Sequence, residues 1–517
     1  MKRLLTALAV LALVASAAAQ TLVVGQSGLP VTLDTGQDGN SLTPAIQVVE
    51  RLVGFEQGSA QIEPLLATSW EPNEDSTVWT FTLREGVSFH DGTPFNAEAV
   101  KFNFDRWNLR DHEFNFVDQG RDFTSFTYVF GGYHGDPGYQ IESVEVIDDH
   151  TVQFNLTGSI GFFPQQLASA YFGLHSPAAV AAGGIEYGTP TVGIVGTGPF
   201  VFGEWIDGDR VVLTRNNDYW GQVAGVEQIV FRGIESPTAR LAELEAGSID
   251  IALNLSPESY DIVAGSDQFR PVSAESDLVI GYLGMHQANK PFDDLRVRQA
   301  VAHAVNKEAL VKGVLSGIGT LGGSYESSVI EGSATDIPPY PYDPDKARAL
   351  LAEAGHPNGF SVDFYVPTGR YTNDRQLGEA IQAQLAEVGI KANLHSPEIS
   401  SYLNLLTQAR APLFISGKGS PSGDMDFTQT LSHGSTGRMN HFNLKNAEVD
   451  RLIDEQRVAV DPEARREILH RLQQKVYDTL PHVTLYYEDQ LWATRANVHD
   501  VRVYVNEFVD FSRAWKE

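Results

Sequence analysis

The chain has 517 residues, room for about three domains or lobes at roughly 150 residues each, and its 42% apolar and 20% charged residues exclude disorder, collagen and coiled coil for its bulk. A formal net charge of −29 repels phosphate backbones and anionic lipid, so no nucleic-acid or membrane-surface partner is expected. There is no cysteine, which removes disulfides, zinc thiolate sites, iron–sulfur clusters, cysteine nucleophiles and a lipidated N-terminal cysteine together.

Residues 1–19 begin Met1-Lys2-Arg3, run apolar from Leu4 to Val14 and end Ala17-Ala18-Ala19, the pattern of a secretory signal peptide cleaved after Ala19. The apolar run is too short for a membrane anchor, and no later stretch approaches roughly eighteen apolar residues. The expected mature chain is exported, soluble and free in the periplasm, without a lipid anchor. Thr21-Leu22-Val23-Val24 reads as a strand closed by Gly25. In Thr77–Arg84 the alternation puts Trp79, Phe81 and Leu83 on one face, a half-buried strand. Glu145 to Leu156 and Arg210 to Thr214 give further strands.

The second half changes character. Asp293-Asp294 can cap one helix running to about Leu315, with Val297, Ala300, Val301, Ala304 and Val305 on one face. Asp343-Pro344 caps another that stops at Gly355, and Asp374 to Val388 is closed by Gly389. Glu448–Val458 and Pro462–Leu480 form a helix pair, restarted by Asp461-Pro462 and ended by Pro481. Strands Ser361–Val366, Lys391–Leu394 and Val483–Tyr487 lie between these helices, and the alternation indicates an α/β layer structure.

Catalytic motifs fail in turn. Gly317-Ile318-Gly319-Thr320-Leu321-Gly322 has dinucleotide-binding spacing but follows a helix rather than a strand. His90-Asp91 precedes Gly92 at a strand end, where a turn role is expected. The histidines are scattered, and no two carboxylates stand out as a hydrolytic pair. No cofactor, metal or catalytic residue is expected.

Three segments are more particular than composition requires: Leu66–Glu71 with Thr80–Pro94 and Ala97–Phe102; Gly196-Thr197-Gly198-Pro199-Phe200 with Arg215–Gly221; and Pro291–Ala300. In this order they resemble the landmarks of family 5 extracytoplasmic solute-binding proteins, the peptide, dipeptide and nickel group of ABC importers. As structure, Trp70, Trp79 and Phe81 read as core aromatics, and Gly86, Gly92 and Gly198 as turn glycines. Asn217–Trp220 reads as a loop anchor, and Arg296 and Arg298 as a helix-face ion-pair set.

The resemblance implies the two-lobe, type II periplasmic binding protein fold in its large form. The first lobe is expected over 20–270 with an extra subdomain inserted at about 45–190, the second over 271–487, and a return to the first over 488–517. It also implies a monomeric, non-enzymatic receptor that closes on a peptide-class small molecule and hands it to the membrane permease subunits of an ABC importer. A sugar, an opine or a nickel or other metal chelate in the same fold is the alternative ligand; a secreted hydrolase is the alternative class. Peptide-binding relatives hold the ligand's ammonium with an Asp just before an Asp-Pro pair. The matching stretch, Gly417–Phe427, puts Pro421 near that position and has Ser420, Gly423 and Asp424 in a Ser-Gly-Asp-x-Asp run closer to relatives that bind glutathione or other modified peptides. Asp424 can meet an ammonium or organise its own loop. Dipeptide-binding relatives clamp the ligand carboxylate with an arginine in the loop matching Gly369–Asp374, which points to Arg370, with surface ion pairing as the other role; Tyr371 can stack on the ligand or cover the hinge.

Overall fold

A computed structural model describes residues 20–37, 42–368, 370–504 and 508–517, with 273–280 described by backbone alone. The expected signal peptide over 1–19 and the loop glycine Gly369 lie outside the described residues. Among the described residues, no helix is long and apolar enough to cross a membrane.

One ten-stranded sheet runs through both halves of the molecule. Its order from one edge to the other is Ile390–His395, Phe360–Tyr365, Leu413–Lys418, Phe269–Met285, His482–Arg495, Ile251–Ala252, Thr21–Gln26, Gln228–Gly233, Arg210–Arg215 and Phe200–Ile206. The two long central strands, Phe269–Met285 and His482–Arg495, are antiparallel neighbours and carry the chain from one half to the other. Their pairing is interrupted between Ala274, opposite Gln490, and Val279, opposite Glu488. A bulge of this kind bends a strand and gives the pair a place to twist. Strands on one side of it pack the core around Phe231, Leu213 and Trp492; those on the other side pack Phe364, Ile415 and Leu485 against helices Leu295–Ala304 and Asp374–Glu387.

A separate four-stranded antiparallel sheet, ordered Ala67–Pro72, Val78–Leu83, Thr151–Leu156, Ile141–Asp148, packs on helix Ala97–Asn108. Trp79, Phe81 and Leu83 are buried as the alternation requires, in a core dense in aromatics, with Phe104 at 4.8 Å from Phe154 and Phe81 at 5.4 Å, edge to face. Trp70 is only half-buried, against the rim of this core. The stretch 145–156 is a hairpin turning at Asp149-His150.

Three expectations are corrected. The helix from 293 to 315 is two, Leu295–Ala304 and Lys307–Val314: Val305 is extended, and Asn306 caps the second by accepting from Ala309 N at 2.9 Å. The apolar periodicity continued through the break because both helices bury the same side. Arg296 pairs with Asp294, but Arg298 makes no helix-face ion pair: it is buried and donates to the carbonyls of Phe292, Thr479 and Leu480 at 2.6, 2.9 and 3.1 Å. Those carbonyls include the end of helix Pro462–Thr479, where a cation meets the negative pole. Gly86 and Gly92 have positive φ, but Gly198 does not; it is glycine because a Cβ would sit 2.7 Å from the Gln47 carbonyl oxygen and 2.8 Å from that of Val48. Gly198→Ala is therefore expected to cost about 1–3 kcal/mol, read as a lower midpoint in urea, because the added methyl meets the backbone of Gln47 and Val48 rather than the end of a flexible side chain. His90 and Asp91 do hold a turn: His90 Nε2 lies 2.9 Å from Gly198 O, and Asp91 accepts from Thr93 N at 3.0 Å.

The second landmark converges on a residue with no sequence signal of its own. Glu50 is buried, and its carboxylate accepts from Tyr219 OH at 2.6 Å and from Trp220 Nε1 and Thr197 Oγ1, both at 2.8 Å. Burial outweighs these donors and pushes the carboxyl up to about 7. A folded-state value above the unfolded one means the native protein binds the extra proton, so this contribution is present at acid pH and lost as pH rises from about 4.5 to about 7, roughly 3 kcal/mol in all. In Glu50→Gln that segment of the stability–pH curve is expected to flatten, as measured by urea titrations from pH 4.5 to 8.

Candidate functional site

Strands Phe360–Tyr365 and Leu413–Lys418 are parallel neighbours, with Phe364 opposite Leu413 and Tyr365 opposite Phe414. The loops that carry Arg370–Tyr371 and Ser420–Asp424 leave them at the same, carboxyl end. In open α/β sheets ligands bind at that end, where loops rather than side-chain rows meet the opening. Both loops lie beside the interruption in the long strands: Ile280 pairs with Lys418, and Thr372 Oγ1 donates to Glu488.

The first loop is shaped by Asp374 at the start of helix Asp374–Glu387, whose carboxylate accepts from Arg370 N at 2.9 Å and Tyr371 N at 3.3 Å. Asn373 is left-handed at φ 51°, which its short side chain tolerates, and its Nδ2 reaches Val314 O at 2.9 Å and Glu258 Oε1 at 3.3 Å, the latter on helix Pro257–Ala264 across the long strands. The Tyr371 hydroxyl is 3.2 Å from Ser416 Oγ, and its ring lies where a side chain on Gly417 would stand. Arg370 is exposed; among the described residues, no carboxylate lies within ion-pair distance of its guanidinium, although Glu488 is near enough to act on it through space. Burial raises the Glu488 carboxyl, against the bond from Thr372.

The second loop is held from beneath. Ser420 is buried and donates to Asp424 O at 2.7 Å; Gly423, at φ 64°, donates its amide to Ser420 O at 3.0 Å. Asp424 caps the short helix Met425–Thr428 through Asp426 N at 2.7 Å, and both its oxygens receive Arg465 Nη1 and Nη2 at 2.7 and 2.8 Å. Asp426 takes Arg457 at 2.7 and 3.0 Å and Gln456 Nε2 at 2.6 Å. Burial opposes the charge on Asp426, but Arg457 and then Arg465 outweigh it and keep its carboxyl below the usual range. The Ser-Gly-Asp-x-Asp run is thus anchored by two bidentate pairs, buried at their carboxylates and half-buried at their arginines, to the joint of helices Ala447–Val458 and Pro462–Thr479.

The two halves meet around this loop. Arg465 lies 4.2 Å over the Phe162 ring, Gly161 abuts the Ala459 carbonyl, and a Cβ on Gly423 would be 3.1 Å from Phe55. Farther along, Tyr128 donates to Met439 Sδ and sits 5.3 Å from the Phe427 ring, and Arg438 donates to Thr127 O at 3.2 Å. On one side of helix Met425–Thr428 lies a cavity of about 210 Å³ walled by Trp70, Trp79, Phe162, Asp424 and Arg465; on the other lies one of about 480 Å³ with Tyr128, Phe427, Arg438 and Arg457 in its walls. Lys418, at the end of its strand, is buried among groups of its own half: its Nζ is 2.9 Å from Ser432 Oγ, 3.5 Å from Met439 Sδ and 5.0 Å from the Phe427 ring.

Of the residues singled out in the sequence, Arg370 and Tyr371 stand on one loop and Ser420, Gly423 and Asp424 on its neighbour. Lys418, Arg457, Arg465, Tyr128 and Arg438 were not singled out. Lys418 had a legible signal, a lysine ending the apolar run Leu413-Phe414-Ile415; the arginines and Tyr128 had none, because their partners are hundreds of residues away or across a helix joint.

A family model described as bacterial extracellular solute-binding proteins, family 5 Middle, matches residues 61–440. The chain is 32% identical over 450 residues to heme-binding protein A of Haemophilus influenzae, covering 84% of this chain and 80% of that protein. It is 31% identical over 505 residues to the dipeptide-binding protein of Escherichia coli, covering 93% and 92%. Among solved structures it superposes on HbpA2 from Haemophilus parasuis with a TM-score of 0.85 at 26% identity, covering 96% of this chain and all of that one. These relatives are named as binding proteins rather than as enzymes.

Proposed function

The chain belongs to the bacterial extracellular solute-binding proteins of family 5, and from that premise we propose that it is the receptor of an ABC importer that captures a short peptide between its lobes and releases it unchanged to a membrane permease. The observation that carries the peptide is Arg370: an exposed guanidinium, in a chain of net charge −29, with no carboxylate in ion-pair distance among the described residues, on a loop beside the interlobe crossing. Its planar fork fits a ligand's terminal carboxylate with two parallel bonds. Tyr371 then covers the ligand next to it, and Ser420, Gly423 and Asp424, set by Arg465, form the wall toward its other end. Closure removes water from the gap, so each of these polar contacts strengthens in the lowered dielectric.

On this reading the lobes are 20–270 with 488–517 and 271–487, the inserted subdomain is about 45–190, and the mature chain is a monomer, freed in the periplasm by loss of residues 1–19 without a lipid anchor. It performs no chemistry on its ligand. The test is to denature the protein as purified from its native export route and identify what is released by mass spectrometry. An intact peptide in near-stoichiometric amount supports the reading. A metal chelate without peptide, or a cleaved product accumulating with time, overturns it.

A further inference from the structure

Among the described residues, Lys418 is a buried lysine with few direct acceptors. It is 6% exposed, and burial pushes it down to about 7. A lysine brings three donors; here, among the described residues, they meet one hydroxyl, Ser432 Oγ at 2.9 Å, and one thioether, Met439 Sδ at 3.5 Å, a weak acceptor. The carboxylate that acts on it through space, Glu326, is itself occupied by Thr428 Oγ1 and Gln429 Nε2. Glu326 thus supplies counter-charge only from a distance, without an ion pair, and a buried charge so placed is costly unless a closer one is found.

Its position says from which side that counter-charge can come. Lys418 ends the strand whose following loop carries Ser420–Asp424, and both neighbours of its Nζ on the open side, Phe427 and Met439, touch Tyr128 of the other half. On the far side of Met439 stands a second cation, Arg438. It is exposed, makes one bond to Thr127 O at 3.2 Å and lies 5.3 Å from the Tyr128 ring, again with no carboxylate in ion-pair distance among the described residues. By contrast, the nearby arginines 457 and 465 are fully committed to Asp426 and Asp424. Two basic groups with no described carboxylate in ion-pair distance stand near one seam, in a protein with 66 acidic and 37 basic residues, and mark a place that a negative group of the guest would fill.

We propose that Lys418, with Arg438, forms a subsite for a second anionic group of the ligand, so that this receptor selects acidic peptides. The inference rests on the peptide reading above and narrows it. Arg370 holds the terminal carboxylate, and the Lys418–Arg438 pair takes a side-chain carboxylate, desolvated when the lobes meet.

The test is titration calorimetry of ligand-free protein with four dipeptides, Ala-Glu, Ala-Gln, Glu-Ala and Gln-Ala, which differ within each pair only by carboxylate against amide. At least one acidic member is expected to bind tenfold or more tighter than its amide partner. That ratio should fall to near one in Lys418→Met, an apolar residue of similar length, and fall part-way in Arg438→Gln. Thermal melting within a few degrees of the parent shows that both variants fold. Equal binding of acid and amide in both pairs would overturn the subsite and leave the peptide reading standing, as would a preference that survives both substitutions together. Failure of all four to bind, with a non-peptide released on denaturation, would remove the peptide reading and the subsite with it.

Discussion

Arg106→Ala is expected to destabilise the protein by about 3–5 kcal/mol, seen as a lower urea midpoint for the transition reported by the aromatic core. Arg106 lies on helix Ala97–Asn108 at 2% exposure, and its Nη2 donates to Asp34, which is wholly buried. Burial pulls the guanidinium down to about 10, which leaves it charged at neutral pH. Without it Asp34 keeps Gln37 Nε2 at 3.2 Å and faces His175 Nε2 at 3.5 Å. His175 is neutral in the native protein, held well below its ordinary value by burial first and by the Arg106 guanidinium second; the substitution lifts only the second, and burial still opposes a charge on the ring. The carboxylate would be stranded in an apolar surround. Replacing both partners, as Arg106→Met with Asp34→Leu, removes both charges and is expected to recover most of the loss. An Arg106→Ala midpoint equal to the parent's would show that this pair does not fasten the four-stranded sheet and its helix to the first lobe.

Arg370→Ala is expected to weaken binding of a peptide with a free carboxyl terminus by about 2–5 kcal/mol, a loss of roughly thirtyfold to several thousandfold in Kd. Amidating the same peptide should cost the parent protein a similar factor and the variant almost nothing, because the two changes delete one interaction from its two sides. Stability should scarcely move, since the side chain is exposed and bonded to no described carboxylate. Unchanged affinity for the free acid by calorimetry would take Arg370 out of the site.

What could be seen in the sequence was what is local. Capping residues spoke directly: Asp343 accepts from Lys346 N at 2.9 Å, and Asp461 from Ala464 N at 2.8 Å, so helices Pro344–Glu353 and Pro462–Thr479 begin where Asp-Pro said they would. The strand at Trp79–Leu83 was plain because one face is buried and the other is not. Strand Phe269–Met285 was missed: it is buried on parts of both faces and bends at an interruption, so its alternation fails. His482–Arg495 was seen only over its first third for the same reason. The second family landmark proved to be about packing: Gly198, Tyr219 and Trp220 surround Glu50 and Val48 rather than the interlobe opening, whereas Trp70 of the first landmark walls the smaller cavity. The two loops of the candidate site were legible by resemblance. Their fastening was not, since a pair such as Asp424–Arg465 spans 41 positions and a helix joint, and nothing in either residue's neighbours announces the other.

The central strand His482–Arg495 is made nearly last and used on both sides: it pairs with Phe269–Met285 along most of its length and with Ile251–Ala252 beyond. A chain still emerging from the ribosome, short of residue 482, therefore lacks the staple of either half, and its central sheet edges stay open. Neither half of the ten-stranded sheet can finish ahead of the other, and that sheet is completed only after synthesis, its decisive contacts joining segments hundreds of residues apart. The ten-stranded sheet of such a polypeptide stays incomplete for as long as its tail is withheld, which leaves the chain easier to thread through a narrow pore than the finished molecule.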